Sequence, residues 1–144
     1  KMRRVQLEDA LRQLDNLDVF YDATALSQDA QPPTLDYARY AVRRLKGCFH
    51  PKLILLLVDN PVDGEEVISQ SLIVAVMSAN LSRSGWWENV ECAHIDEFRA
   101  GENELYCDYR QDLLELLKRI EKDSGHSSAA ISNVREFIKT KISI

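Results

Sequence analysis

Apolar residues recur along the chain in two rhythms, and each rhythm predicts a different kind of element. Leu7, Ala10, Leu11, Leu14 and Leu17 repeat at helical spacing and predict a first helix over about Leu7 to Leu17. Asp18 to Leu26 predicts a short strand running into a loop. The polar connection Ser27 to Thr34 contains Pro32 and Pro33 and ends before a second predicted helix, about Leu35 to Lys46. That helix would carry Leu35, Ala38, Val42 and Leu45 on one side and Arg39, Arg43 and Lys46 on another, with Gly47 stopping it.

From Cys48 to Asp59 the rhythm changes to a run of Leu, Ile and Val, apolar on both faces as a central strand requires. Asn60-Pro-Val-Asp-Gly64 is a turn, and a second such strand is predicted from about Ser71 to Ser78. A polar, small-residue stretch, Asn80 to Gly85, leads through Trp86-Trp87 to a third strand from about Asn89 to Phe98. A helix over about Tyr109 to Lys122 turns Leu113, Leu116, Leu117 and Ile120 inward, and a short helix near Asn133 to Lys141 closes the sequence. The pattern therefore predicts an α/β class with a mixed β-sheet flanked by helices. It divides into a principal domain over residues 1–123 and a linker with C-terminal helix over 124–144.

Composition narrows the functional classes. With 144 residues, 45% hydrophobic and 28% charged, the sequence supports one core-forming domain and carries no repeat or low-complexity segment. Its apolar runs reach six residues (Leu53 to Val58), against the ~20 that a membrane helix needs. No membrane partner is expected. The N-terminal Lys1-Met2-Arg3-Arg4 leads into an acidic, amphipathic stretch, which is not the apolar core of a signal peptide. Three cysteines, Cys48, Cys92 and Cys107, form an odd count without framework spacing, as suits a reducing cytoplasm. A net charge of −5 argues against indiscriminate nucleic-acid binding over the whole surface but leaves room for a local basic groove.

Three stretches concentrate the reactive side chains: Phe49-His50-Pro51-Lys52-Leu53, Met77-Ser78-Ala79-Asn80-Leu81-Ser82 and Asn89-Val90-Glu91. Two-residue spacing on a strand sends His50 and Lys52 to one face, and the same holds for Ser78 and Asn80. If the strands are neighbours, an imidazole, an ammonium and an amide meet at one edge of the sheet. That set suits a tetrahedral phosphodiester. Lysine neutralises a non-bridging oxygen, the amide and hydroxyl donate hydrogen bonds, and a neutral imidazole attacks phosphorus. No metal or other cofactor is called for.

His-Pro-Lys-Leu, then a strand ending in Ser-Ala-Asn-Leu-Ser, then Gly-Trp and Asn-x-Glu, together resemble the phospholipase D superfamily. The likeness is greatest to its bacterial nucleases and restriction-type enzymes, and extends to tyrosyl-DNA phosphodiesterases. It covers roughly Leu7 to Ile120, including the strand with Tyr21-Asp22-Ala23. The resemblance implies that His50 is the nucleophile that forms a phosphohistidine, or its general-acid counterpart. Lys52 and Asn80 would then hold phosphate oxygens, Ser78 would support them, and Glu91 would orient an imidazole. Two departures stand out. The family's aspartate five residues after the lysine is Leu57 here, as tyrosyl-DNA phosphodiesterases also lack it. The family reaction uses two histidines, whereas this sequence has one His-x-Lys. A homodimer or a second phospholipase D-like half would supply the other, and the family fold usually begins ahead of the first residue here, so the half is expected to be N-terminally incomplete.

Other residues have plainer readings beside their functional ones. Arg39, Arg43, Lys46, Ser82 and Trp86 are candidates for nucleic-acid contact, against a solvated helix face and a rim or core tryptophan. Cys48-x-His50 with Cys92-x-His94 makes a Cys2His2 set, but it lacks knuckle spacing, and no metal site is expected. His94 is read as a sheet residue and His126 as a solvated loop residue. The function expected is a metal-independent phosphodiesterase, a nuclease cleaving DNA in restriction or defence. The alternatives are a catalytically degenerate DNA-binding or dimerisation half, and a phospholipase or phosphatidyltransferase.

Overall fold

The computed structural model describes residues 13–14, 16–25, 37–61, 68–80, 88–100 and 106–143. Five strands and two helices are present among them: β1 (Asp18–Asp22), β2 (Ala38–Val42), β3 (Leu53–Pro61), β4 (Ile68–Met77), β5 (Ala93–Arg99), α1 (Arg110–Ser124) and α2 (Ala129–Lys141). The content is mixed α/β, as the pattern predicts, but the strands form two small sheets, β1-β2 and β3-β4-β5. The chain forms two compact units, Lys1–His50 with Leu116–Ser132, and Pro51–Glu115 with Asn133–Ile144.

In the first unit β1 and β2 pair in parallel, from Asp18↔Ala38 to Asp22↔Val42, and the Ala23 N–H extends the ladder to the Val42 carbonyl at 3.0 Å. Here the structure corrects the sequence: of the helix predicted over Leu35 to Lys46, residues 35–36 lie outside the described residues, 37–46 are not helical, and β2 occupies the centre. The apolar spacing at Ala38 and Val42 satisfies a two-residue alternation through Tyr40 as well as a helical stripe. Tyr and Val favour strands, and pairing with β1 buries Val42 to 1% exposure. Leu45, assigned to the apolar helix side, is instead fully exposed at 106%. Most of the first predicted helix, residues 7–12 and 15, and the polar connection 27–34 lie outside the described residues, while 16–17 are not helical.

The rest of the first unit comes from the turn between the helices. Gly125, with φ +66°, takes the left-handed position just past α1 that a side chain would strain. Ser128 caps α2 by accepting the Ile131 N–H at 3.1 Å, so that helix starts at Ala129, four residues earlier than predicted. His126 is not a solvated loop residue. It is half-buried and stacked on Tyr40, with centroids 3.5 Å apart and planes 13° from parallel. The Arg43 N–H reaches the Asp123 carbonyl at 3.1 Å, and the Arg44 guanidinium lies 3.8 Å from the Asp123 carboxylate.

In the second unit β4 is central and antiparallel to both neighbours, pairing Leu53↔Val76 on one side and Met77↔Ala93 on the other. Alternation buries Leu72, Val74 and Phe98 on one face, at 0%, 2% and 8% exposure, and Ser71 and Ala75 on the other. The buried Ser71 hydroxyl accepts from the Asn60 amide at 2.7 Å, which removes the cost of an orphaned polar group. Val134, Phe137 and Ile138 of α2 are buried, as are Cys107 and Leu113. Arg110 donates to the carbonyls of Ile138 and Lys139, at 3.1 and 3.3 Å, where the end of α2 leaves acceptors without helical partners.

Strand starts differ from the pattern, and the reason is local. Gly47 has φ +78° and Pro51 has no N–H, so the predicted strand from Cys48 begins only at Leu53. The strand predicted from Asn89 begins at Ala93.

Candidate functional site

The candidate residues fall into both units. His50 closes the first unit's N-terminal portion, while Lys52, Ser78, Asn80 and Glu91 belong to the second. Neither His50 nor Lys52 is a strand residue, which corrects the expectation that a strand sets their common face.

In the second unit the sheet ends where β3 begins, β4 stops and β5 begins. Both ladders run one residue past the named strands: the Met77 N–H donates to the Lys52 carbonyl at 3.0 Å, and the Ser78 N–H to the Cys92 carbonyl at 2.9 Å. Lys52 therefore lies across from Met77, and Cys92 across from Ser78, on adjacent rungs. Adjacent rungs face opposite sides of a sheet. Lys52 and Ser78 thus leave this sheet end on opposite faces, not on the common face that the sequence suggests.

Ser78 links two of the motif stretches. Its hydroxyl donates to the Glu91 carboxylate and accepts the Cys92 N–H at 2.9 Å. Two stretches singled out in the sequence are thus joined by a side-chain contact across 13 positions. The serine is exposed and Glu91 half-buried, so the carboxylate is fixed in direction while keeping an open side. Asn80 is exposed, two residues past Ser78. An amide, a hydroxyl-oriented carboxylate and an ammonium at one sheet end can present donors to an anion and an acceptor to an N–H.

In the first unit His50 is exposed, and the N–H of the preceding Phe49 donates to the Asp22 carboxylate at 2.6 Å. The other Asp22 oxygen accepts the Thr24 N–H at 2.7 Å and the Thr24 hydroxyl at 2.6 Å. The Thr24 hydroxyl first, then the Thr24 and Phe49 N–H groups, hold this carboxyl below the ordinary aspartate value, and the His50 charge adds to them against a small burial penalty. The sequence marked Asp22 only as part of a strand. Nothing local identifies a contact made 27 positions away.

The basic residues do not form the helical face predicted for them. Arg39 is an exposed β2 residue 5.9 Å from the Tyr37 ring, Arg43 follows the strand, and Lys46 lies in the bend before Gly47. Ser82 and Trp86 lie outside the described residues. Cys48 and Cys92 are exposed thiols, and no group of three or more metal-ligating side chains occurs among the described residues.

Sequence reasoning also missed a polar cluster in the second unit. Asp96 accepts from the Tyr109 hydroxyl and lies 3.1 Å from His94 Nε2, with Tyr109 edge-on to Phe98 at 6.3 Å. Burial first, then the Asp96 hydrogen bond, push the Tyr109 hydroxyl well above the usual phenol range. The signal in the sequence was His94-x-Asp96, whose spacing on a strand puts both on one face. His94 is a sheet residue, as expected.

No protein-family model, curated protein or solved structure matches this chain. Among the described residues, no helix is long and apolar enough to cross a membrane.

Proposed function

We propose that the chain is one half of a phospholipase D-type phosphodiesterase that cleaves DNA. The observation that carries this reading is the Ser78–Glu91–Cys92 junction, which joins two of the three motif stretches at the sheet end where Lys52 begins the ladder. His50, two residues before Lys52 in the chain, supplies the imidazole.

In the nucleophile role a ring nitrogen of His50 attacks phosphorus. The bond to the leaving oxygen breaks, and that oxygen takes a proton from a second histidine. Water, deprotonated by that histidine, then attacks the phosphohistidine and releases the phosphate product and His50. In the general-acid role His50 supplies the proton instead. Lys52 and Asn80 stabilise the charge that builds on the non-bridging oxygens, and Glu91 fixes an imidazole in direction. The second histidine comes from a partner chain or another phospholipase D-like half. With a negative overall charge, this reading assigns the DNA contact to local basic groups such as Arg39 and Arg43, which are exposed.

The test is turnover of DNA in EDTA. Wild-type protein should cleave, and in the nucleophile role denaturing quench should trap a phosphorylated His50 that His50→Ala lacks. Loss of cleavage on dilution would assign the second histidine to a partner chain. Salt-dependent DNA binding without cleavage at any protein concentration would refute the enzymatic reading and leave a binding half.

A further inference from the structure

The segment that carries His50 is short of regular support. It runs from Gly47, in the left-handed region at φ +78°, to Pro51, which has no N–H, and it belongs to neither sheet. Its backbone is nevertheless fixed one residue before the histidine, by Asp22. That carboxylate divides its work. Oδ1 closes the turn after β1 through Thr24, and Oδ2 reaches the Phe49 N–H. A carboxylate needed only for the turn would be satisfied by the two Thr24 donors. The Phe49 contact is a charge-assisted bond made across 27 positions, and the His50 ring is near enough for its charge to be felt at the same carboxylate.

We propose that Asp22 is a positioning residue for His50: it clamps the main chain entering the histidine and holds a fixed negative charge beside the imidazole. The proposal rests on the phosphodiesterase reading for its catalytic meaning, but the clamp itself stands on unit-one geometry. As the imidazole attacks an electrophile, positive charge develops on the ring, and a carboxylate already held in place by three donors stabilises it without reorganising. Asp22 acts through His50 and touches no substrate.

Two measurements test the clamp without any substrate. In wild-type protein the Phe49 amide shift should follow a carboxylate titration whose midpoint lies below the ordinary 3.8. A flat profile, or a midpoint at or above that value, overturns the proposal. Labelling with diethyl pyrocarbonate, resolved by residue and run at a pH high enough that the imidazole is neutral in both proteins, should be severalfold slower at His50 in Asp22→Asn than in wild type. His94 and His126 serve as internal controls for intact folding, and Thr24→Ala, which keeps the Phe49 contact, should label His50 at the wild-type rate. Equal His50 rates in wild type and Asp22→Asn refute the clamp. On DNA, Asp22→Asn should lower kcat and leave KM unchanged, whereas a raised KM alone refutes positioning. Absence of turnover in wild-type protein refutes the phosphodiesterase reading, and the amide and labelling results still decide Asp22.

Discussion

Replacing Ser78 by alanine removes the two principal bonds of its hydroxyl, together with a longer 3.5 Å contact to the Cys92 carbonyl, and leaves the backbone bond. The hydroxyl no longer donates to Glu91 or accepts the Cys92 N–H, while the Ser78 N–H keeps its 2.9 Å bond to the Cys92 carbonyl. A neutral hydrogen bond contributes a net ~1 kcal/mol, and one to a charged group more. Ser78 and Cys92 are exposed, so water replaces part of each loss and the charge-assisted bond counts at the lower end. Together the two come to about 1–2 kcal/mol, a factor of roughly 5–30 in a local equilibrium. Amide hydrogen exchange reads that factor at one place. The Cys92 amide should exchange about 5–30-fold faster in Ser78→Ala. The Met77 amide, bonded to the Lys52 carbonyl at 3.0 Å, should keep its wild-type rate. Ser78→Thr retains a hydroxyl and suits a strand end, so it should restore Cys92 protection. Under the proposed function, DNA turnover should fall in the alanine variant and return with threonine. An unchanged Cys92 rate would refute the junction, and equal acceleration at Met77 would show general loosening of the sheet.

Leu72→Ala empties a fully buried position on the central strand and should cost about 2–5 kcal/mol, read as a lower urea midpoint at unchanged slope. Cys107 is 3% exposed, and burial first pushes its thiol above the usual cysteine range. A thiol reagent should therefore modify Cys48 and Cys92 in the native protein but Cys107 only on unfolding. Tyr109 keeps its proton in the folded state above the ordinary phenol value of 10.0, where an unfolded chain has lost it. Its contribution to stability is full below that pH and declines as pH rises beyond it, and Tyr109→Phe should flatten this alkaline decline in urea-unfolding midpoints.

The elements legible in the sequence are those whose burial pattern admits one period. Leu72, Val74 and Phe98 alternate on a strand face, while Leu113, Leu117 and Ile120 can share only a helical one. β2 was misread because Ala38 and Val42, four apart, fit both periods, and only pairing with β1 decides between them. Strand starts were misread for a similar reason. Composition makes Cys48 to Asp59 uniformly strand-like, but backbone geometry at Gly47 and Pro51 delays pairing until Leu53.

The candidate site divides along the same line. Ser78 and Glu91 were each named in the sequence, one as a phosphate donor and the other as an imidazole partner, but their bond to each other was not read there. It follows from β4 and β5 being antiparallel neighbours, whose common end brings flanking residues together. Asp22 was not named for the site, because its bond to the Phe49 N–H depends on where an irregular segment runs, and no periodicity records that. Under the proposed function, the residues named from the sequence are His50, the phosphate-holding Lys52 and Asn80, and the Ser78–Glu91 pair, while Asp22, which would aim His50, is not among them. If catalysis needs the imidazole held within a fraction of an ångström, as effective molarity demands, the omitted carboxylate matters as much as the visible lysine. Asp22→Asn and Lys52→Ala should then differ in kind. The first should lower kcat at constant KM, and the second, under the proposed function, should both raise KM and lower kcat, because Lys52 would hold the phosphate in the ground state and hold it more strongly as charge builds on its oxygens. Identical changes in kcat and KM for the two variants would show that Asp22 is a part of the phosphate site, not the means of aiming His50.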